Sequence, residues 1–259
     1  MALFISFEGG EGSGKSTQAK RLARQFEHMG ISTLSIREPG TTNLGSYIRD
    51  IIKGNPWGTE TISHRAELFL FSAARAELVS KVLSKRMEDS CLVIISDRYV
   101  DSTVAYQGYG RRLPLNYVKS VNELATRGAR MPDITLLLDC PPAEALKRVG
   151  AVQPGLFEIR ETGRMDEAGA RRFEDEPLSF HHRVRDGYLK LARAEPERWA
   201  VINGMEAEDR VFDSICKALA DFDKFQEMFE DHVSLEEFTM PSGVNEPTLF
   251  SLSTDRQGQ

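Results

Sequence analysis

The chain is poor in cysteine. Cys91, Cys140 and Cys216 stand far apart, and with no C-x-x-C pair a zinc site or dithiol redox motif has no support. The first two lie in or beside apolar runs and the third within a helical pattern, so all three are expected as small core residues. Nothing resembles a signal peptide, because the N-terminus moves directly into a strand and then a glycine loop. No apolar run approaches the length needed to cross a bilayer, which leaves the cytoplasm as the expected compartment and no membrane as a partner. Positive charge is also scarce. Against 39 Asp and Glu stand 33 Lys and Arg, a net charge of -6 that argues against a nucleic-acid backbone as partner. Small anions need only a local cluster of Arg and Lys. No internal repeat appears, and no G-x-G-x-x-G register closes to make a dinucleotide fingerprint.

What is present is a globular composition, 28% charged and 41% hydrophobic, in 259 residues, enough for one large α/β domain or a domain plus an appendage. Its organising stretch is Gly9-Gly10-Glu11-Gly12-Ser13-Gly14-Lys15-Ser16-Thr17, which fits G-x-x-x-x-G-K-[ST] with Gly9 and Gly14 as the fixed glycines. Residues 3–7 before it are an apolar run suited to a buried strand. After it, Ala19, Leu22, Ala23, Phe26 and Met29 recur at helical steps before a stop at Gly30. Strand, glycine loop and helix together aim backbone N–H groups and a helix N-terminus at a polyphosphate, with Lys15 reaching the outer phosphates and Ser16 ligating magnesium. A chance glycine turn would lack these flanks.

Further along, a strand over residues 32–36 ends in Arg37 and a Pro-Gly turn, at the sheet edge where open α/β folds bind ligands; an ordinary turn reads the same way alone. Residues 63–85 read as one long helix, with Phe71 and Arg75 four apart on one face. They suit either a nucleobase sandwich or a core ring beside a solvated guanidinium. A buried-type strand over 91–96 ends in Asp97-Arg98-Tyr99: Asp97 is placed to hold magnesium-bound water or orient a nucleophile, and Arg98 to clamp a phosphate. Ser102, Thr103, Tyr106 and Gln107 follow at a helix start and suit either sugar and base recognition or plain capping. A helix over 115–126 closes at Gly128, a strand spans 134–138, and Pro141-Pro142 opens a helix carrying Arg148. The irregular stretch that follows, lined by Arg148, Arg160, Arg164, Arg171 and Arg172, reads as a mobile flap with a cationic lining or as a plain solvated loop. A helix over 180–194, a strand over 199–202 and a closing helix over 207–222 complete an alternating order. That order implies a parallel sheet of about five strands with helices on both faces. Residues 1–222 are thus expected as the domain, with a lid at about 149–172. Residues 223–259 are an extension: a short acidic helix with Phe225, Met228 and Phe229, then a tail poorly ordered unless it docks.

Taken together, the glycine loop, Arg37-Glu38-Pro39-Gly40-Thr41, Phe71 with Arg75, Asp97-Arg98-Tyr99, Ser102-Thr103 and Tyr106-Gln107-Gly108 resemble the bacterial thymidylate kinases, P-loop nucleoside monophosphate kinases. The resemblance implies ATP and thymidine 5'-monophosphate as substrates, magnesium as cofactor, transfer of the γ-phosphoryl group, and a homodimer. It implies that Arg98 holds the acceptor phosphate, Phe71 stacks on thymine and Arg75 bonds its carbonyl edge. Glu11 would sit near the sugar hydroxyl, with Ser102, Thr103, Tyr106 and Gln107 around the nucleoside, and Arg37 and Asp97 would place the acceptor phosphate and magnesium shell. Family members with no basic residue inside the phosphate loop carry the catalytic arginine in the lid. Here the loop position is Gly12, so Arg172, then Arg148, are the candidates. The family's lid motif is Asp-Arg-x-Glu, whereas this chain has Arg171-Arg172-Phe173-Glu174. A kinase for another pyrimidine nucleotide and a catalytically impaired nucleotide-binding paralogue are the alternatives.

Overall fold

The computed structural model describes residues 1–53, 62–127, 129–151, 173–229 and 238. They build a five-stranded sheet from β1 (Leu3–Glu8), β2 (Ser32–Arg37), β3 (Leu92–Asp97), β4 (Ile134–Asp139) and β5 (Trp199–Asn203), in the order β2-β3-β1-β4-β5. All four pairings are parallel. Each parallel link needs a crossover, and the helical segments between strands supply it, covering both faces. The near-continuous apolar runs of β1, β3 and β4 are what burial on both faces demands.

Strand alternation assigns the two faces. Leu3, Ile5 and Phe7 point with Val93, Ile95, Leu136 and Leu138 into a core shared with α1 (Lys15–His28) and α9 (Glu208–Ala220). Phe4 and Ile94 face the other way, onto the helical run of α3 (His64–Leu78), a wider π-type segment Val79–Leu83, and α4 (Ser84–Arg86). The expected single helix over 63–85 is therefore one continuous helical run with a π-type interruption. Also on this side lie α2 (Asn43–Lys53), α5 (Val100–Thr103) running into a π-type segment Val104–Gly110, α6 (Leu115–Ala125) and α8 (Leu178–Ala194). The sequence reading did not foresee α2, although Ile48 and Ile52 are buried at helical spacing. The helix α7 (Pro142–Ala151) follows β4. Cys140 and Cys216 are buried as expected; Cys91 is exposed, because β3 begins one residue later.

Past the closing helix, α10 (Asp223–Phe229) lays Phe225 and Phe229 against Phe26 of α1, and Phe238 stacks on the same ring at 5.6 Å. All four phenylalanines are buried in the first core. The start of the extension is thus part of the domain's packing. Gly128, Arg160, Arg164, Arg171, Arg172 and the tail over 241–259 lie outside the described residues.

The register aligns Phe7, Arg37 and Asp97 in one row across β1, β2 and β3. Their carboxyl ends, with the glycine loop leaving β1, form the edge on which the candidate site is built.

Candidate functional site

The loop between β1 and α1 closes tightly. Gly9 has φ 143°, and a Cβ there would fall 2.6 Å from the Leu138 carbonyl oxygen. Gly12 has φ 72°, and a Cβ there would fall 2.0 Å from the Ala145 carbonyl oxygen and 2.9 Å from a Val149 methyl, both on α7. No L side chain fits either place. Lys15 is buried and donates to the Gly10 carbonyl at 2.6 Å and to Ser13 Oγ at 3.1 Å. Burial, then the charge of Arg98, lowers its amine to about 8, against the pull of Glu11, Asp97 and Glu8. Ser16 Oγ donates to Asp97 Oδ2 at 2.5 Å. A hydroxyl and a carboxylate meeting at the loop are hard oxygen donors, the set that Mg²⁺ takes alongside water and phosphate oxygens. Among the described residues no cluster of three or more His, Cys, Asp or Glu could hold a metal by itself.

A cavity of about 310 Å³ opens from the loop. It brings together most of the sequence-derived candidates: Glu11, Gly12, Gly14, Lys15, Ser16 and Thr17 from the loop and α1, Arg37 from β2, Phe71 and Arg75 from α3, then Asp97, Arg98, Ser102, Thr103, Tyr106 and Gln107. Gly9, Gly10 and Ser13 lie outside this lining, on the far side of the loop.

Arg98 anchors the cavity. Its backbone is left-handed, φ 73°, which for a non-glycine residue costs on the order of 1–2 kcal/mol. Its side chain is held on every side. Nη1 donates to the Gly9 carbonyl, Ser102 Oγ and Tyr188 Oη at 3.1, 3.1 and 3.2 Å, and Nη2 donates to Glu11 Oε1 at 2.7 Å and Tyr106 Oη at 3.0 Å. Tyr106 Oη in turn donates to Glu11 at 2.8 Å. Burial raises the Glu11 carboxyl, but Arg98, Lys15 and the Tyr106 hydroxyl outweigh it and bring the group down to about 2. Glu11 is therefore a carboxylate at neutral pH.

The apolar end of the cavity is built on α3. Phe71 is half-buried, its ring 6.1 Å from that of Phe173, which meets Tyr106 edge-on at 5.5 Å. Arg75 is not the solvated cation that the sequence allowed. It is buried, donating to Glu38 Oε2 at 2.8 Å, Asn122 Oδ1 at 2.7 Å and the Tyr99 carbonyl at 3.2 Å. Gln107 donates to the buried Glu67 at 2.8 Å, and Arg111 binds the same carboxylate while also pairing with Glu176. The Arg111 guanidinium lies 5.5 Å from the Phe173 ring centre. That ties the residues just after the expected lid to the cavity wall.

Arg148 sits elsewhere. Its guanidinium donates to the Gly204 carbonyl at 2.7 Å and the Met205 carbonyl at 3.4 Å. It borders a second cavity of about 200 Å³ behind the loop, with Ser13, Gly14, Thr17 and Gln18. Arg172, like Arg160, Arg164 and Arg171, falls outside the described residues. The sequence reading missed Arg49, Lys53 and Phe173, which line the large cavity, and Glu8 beneath it. Arg49 and Lys53, one turn apart on α2, would have been found had that helix been recognised.

Comparison with known proteins gives a consistent answer. The family model described as thymidylate kinase matches residues 7–215. A thymidylate kinase of Dehalococcoides mccartyi is 45% identical over 200 residues, covering 77% of this chain and 86% of the relative. One of Chlorobaculum parvum is 41% identical over 219 residues, covering 84% and 95%. The crystal structure of the thymidylate kinase of Ehrlichia chaffeensis superposes with a TM-score of 0.61 at 29% identity, over 84% of this chain and 98% of that one.

Proposed function

The chain belongs to the thymidylate kinase family, and we propose that it works as that name implies: it transfers the γ-phosphoryl group of ATP to thymidine 5'-monophosphate, giving dTDP and ADP and so feeding dTTP to DNA synthesis. The observation that carries the reading is that the phosphate loop, with Lys15 and Ser16, lines the same cavity as Arg98, Phe71, Tyr106 and Gln107. A donor polyphosphate on the loop and an acceptor phosphate on Arg98 would meet there.

ATP wraps the loop over residues 9–17, with Lys15 exchanging its contacts to Gly10 and Ser13 for the outer phosphates. The nucleoside end of ATP takes the cavity that Arg148 borders, which makes this arginine a donor-side binding residue. The acceptor base lies against Phe71 and Phe173, with Arg75 and Gln107 at its polar edge, and Glu11 faces the sugar. Ser102 and Thr103 close the wall beneath it. Ser16 and, through water, Asp97 would hold Mg²⁺, which when bound would supply charge neutralisation to the donor phosphates. Phosphoryl transfer through a loose transition state asks for positioning and for cations more than for covalent chemistry. Lys15, Arg37, Arg49 and Arg98 supply those cations, and Arg172 of the lid is proposed to complete them.

We further propose a homodimer and a cytoplasmic setting. The dimer is supported by the large apolar side chains that stand exposed on the mutually packed α3 and α6: Phe69, Tyr117 and Leu124. Among the described residues no helix is long and apolar enough to cross a membrane. The test of function is steady-state ADP formation with ATP and magnesium, comparing dTMP with dUMP, dCMP, dGMP and dAMP as acceptors. Turnover strongest with dTMP is the expected result. A preference for dUMP or dCMP would move the assignment to another pyrimidine nucleotide, and binding without turnover would mean an impaired paralogue.

A further inference from the structure

Behind the phosphate loop lies a carboxyl that the reaction above does not use. Glu8 ends β1 and has no exposed surface. Its Oε1 accepts the Tyr99 N–H at 2.8 Å and the Ser6 hydroxyl at 3.3 Å. Its Oε2 lies 2.5 Å from Ser102 Oγ and 2.8 Å from Tyr188 Oη, and these two hydroxyls are 2.8 Å from each other. Three oxygens therefore form a closed triangle. Each side needs one proton to be a hydrogen bond rather than a contact between lone pairs. The two hydroxyls supply two protons. With Oε1 occupied as an acceptor, the third proton belongs on Oε2. An ionised Glu8 would leave one side unbonded in a site closed to water.

Both hydroxyl oxygens also accept from Arg98 Nη1, each using its second lone pair. We propose that Glu8 is a positioning residue for the acceptor phosphate, holding the third proton of a Glu8–Ser102–Tyr188 ring whose two hydroxyl oxygens fix the Arg98 guanidinium. As a neutral acid it orders both hydroxyls without adding negative charge behind Arg98. The cation is then answered by Glu11 alone and stays effective toward a phosphate dianion. The charged groups facing Glu8 are Arg98, Asp101 and, across the loop, Lys15, and Asp101 is itself paired with Arg198 at 2.8 Å. Burial and then Asp101 push the Glu8 carboxyl up to about 7, against Arg98 and the hydrogen bonds from Ser102 and Tyr99.

The role of Arg98 rests on the proposed reaction; the proton does not, so the two can fail separately. Infrared difference spectroscopy of the substrate-free protein at about pH 6, Glu8→Gln against wild type, is expected to show the loss of one protonated-carboxyl band. An unchanged band overturns the shared proton. In steady-state kinetics Glu8→Gln, whose amide both donates and accepts, is expected to keep the KM for dTMP near that of wild type. Glu8→Ala and Tyr188→Phe are expected to raise that KM roughly tenfold or more while the KM for ATP stays put. Equal rises in both KM values, or a Gln variant as damaged as the Ala variant, would mean simple packing and overturn the proposal. Should Glu8→Ala not fold, Tyr188→Phe carries the comparison, because its ring keeps its packing. A wild-type protein that does not turn over dTMP refutes the reaction, and the infrared band still decides the proton.

Discussion

At the scale of single residues the site turns on Arg98. A left-handed backbone and five side-chain hydrogen bonds hold one guanidinium where β3 ends. Replacing it by alanine should leave Glu11 without its cation and the acceptor phosphate without its clamp. The expected loss in kcat/KM for dTMP is on the order of 10²–10³, with ATP binding little changed, readable by initial rates and ATP titration. Two carboxyls of the site, Glu11 and Glu8, should act on stability with opposite signs. Glu11, held near 2 against an ordinary 4.5, favours the fold above pH 4.5, and that contribution disappears as pH falls toward 2. Glu8, held near 7, keeps its proton while the unfolded chain loses it, so its contribution is full below pH 4.5 and declines as pH rises to 7. The stability of wild type minus that of Glu8→Gln, measured by urea unfolding, should therefore fall over this window by up to ~1.4 kcal/mol per pH unit. A flat difference would mean that folded Glu8 is ionised. Motif residues such as Lys15, Ser16, Asp97 and Arg98 were legible because spacing and strand ends declared them. Glu8 was not, since its meaning comes from Tyr188, 180 residues further on.

At the scale of elements, short apolar runs bounded by polar residues made all five strands legible, with ends shifted by a residue or so. Two kinds of element escaped. The helix α2 lies between a turn and an unperiodic stretch, and Gly45 near its start weakened its signal. The π-type widening over Val104–Gly110, which carries Tyr106 and Gln107, leaves no mark in hydrophobic periodicity. The docking of α10 was harder still to read, because three phenylalanines in an acidic extension do not say which face they cover. They cover Phe26, on the helix that grows from the phosphate loop. Removing residues 223–259 should uncover that ring and lower the thermal midpoint, at about 2–4 °C for each kcal/mol lost in a domain of this size. Phe26→Ala in the full chain should cost about 3–5 kcal/mol by chemical denaturation. A truncated protein as stable as the full one would assign the extension to something other than the core.

For the whole molecule, the parallel pairing and the helix layers on both faces followed from the strand–helix alternation, and the position of the site from where parallel strands end; the strand order β2-β3-β1-β4-β5 is a finding of the structure. What the alternation could not provide was the outer surface. Phe69, Tyr117 and Leu124 are 60%, 64% and 72% exposed, a cost in water that a second copy of the chain would remove. Sedimentation equilibrium is expected to give a dimer, and Phe69→Asp with Leu124→Asp a monomer. A wild-type monomer would leave those side chains unexplained.

The crowding of Gly12 against α7 reaches beyond this one chain. Of the two ways of supplying the catalytic arginine, one needs a side chain where the Ala145 carbonyl already stands. With α7 at this distance, an arginine at position 12 would first have to displace a helix. Randomising position 12 alone and selecting for growth should return glycine. Randomising it together with the Ala145 turn is where another answer would have to be found.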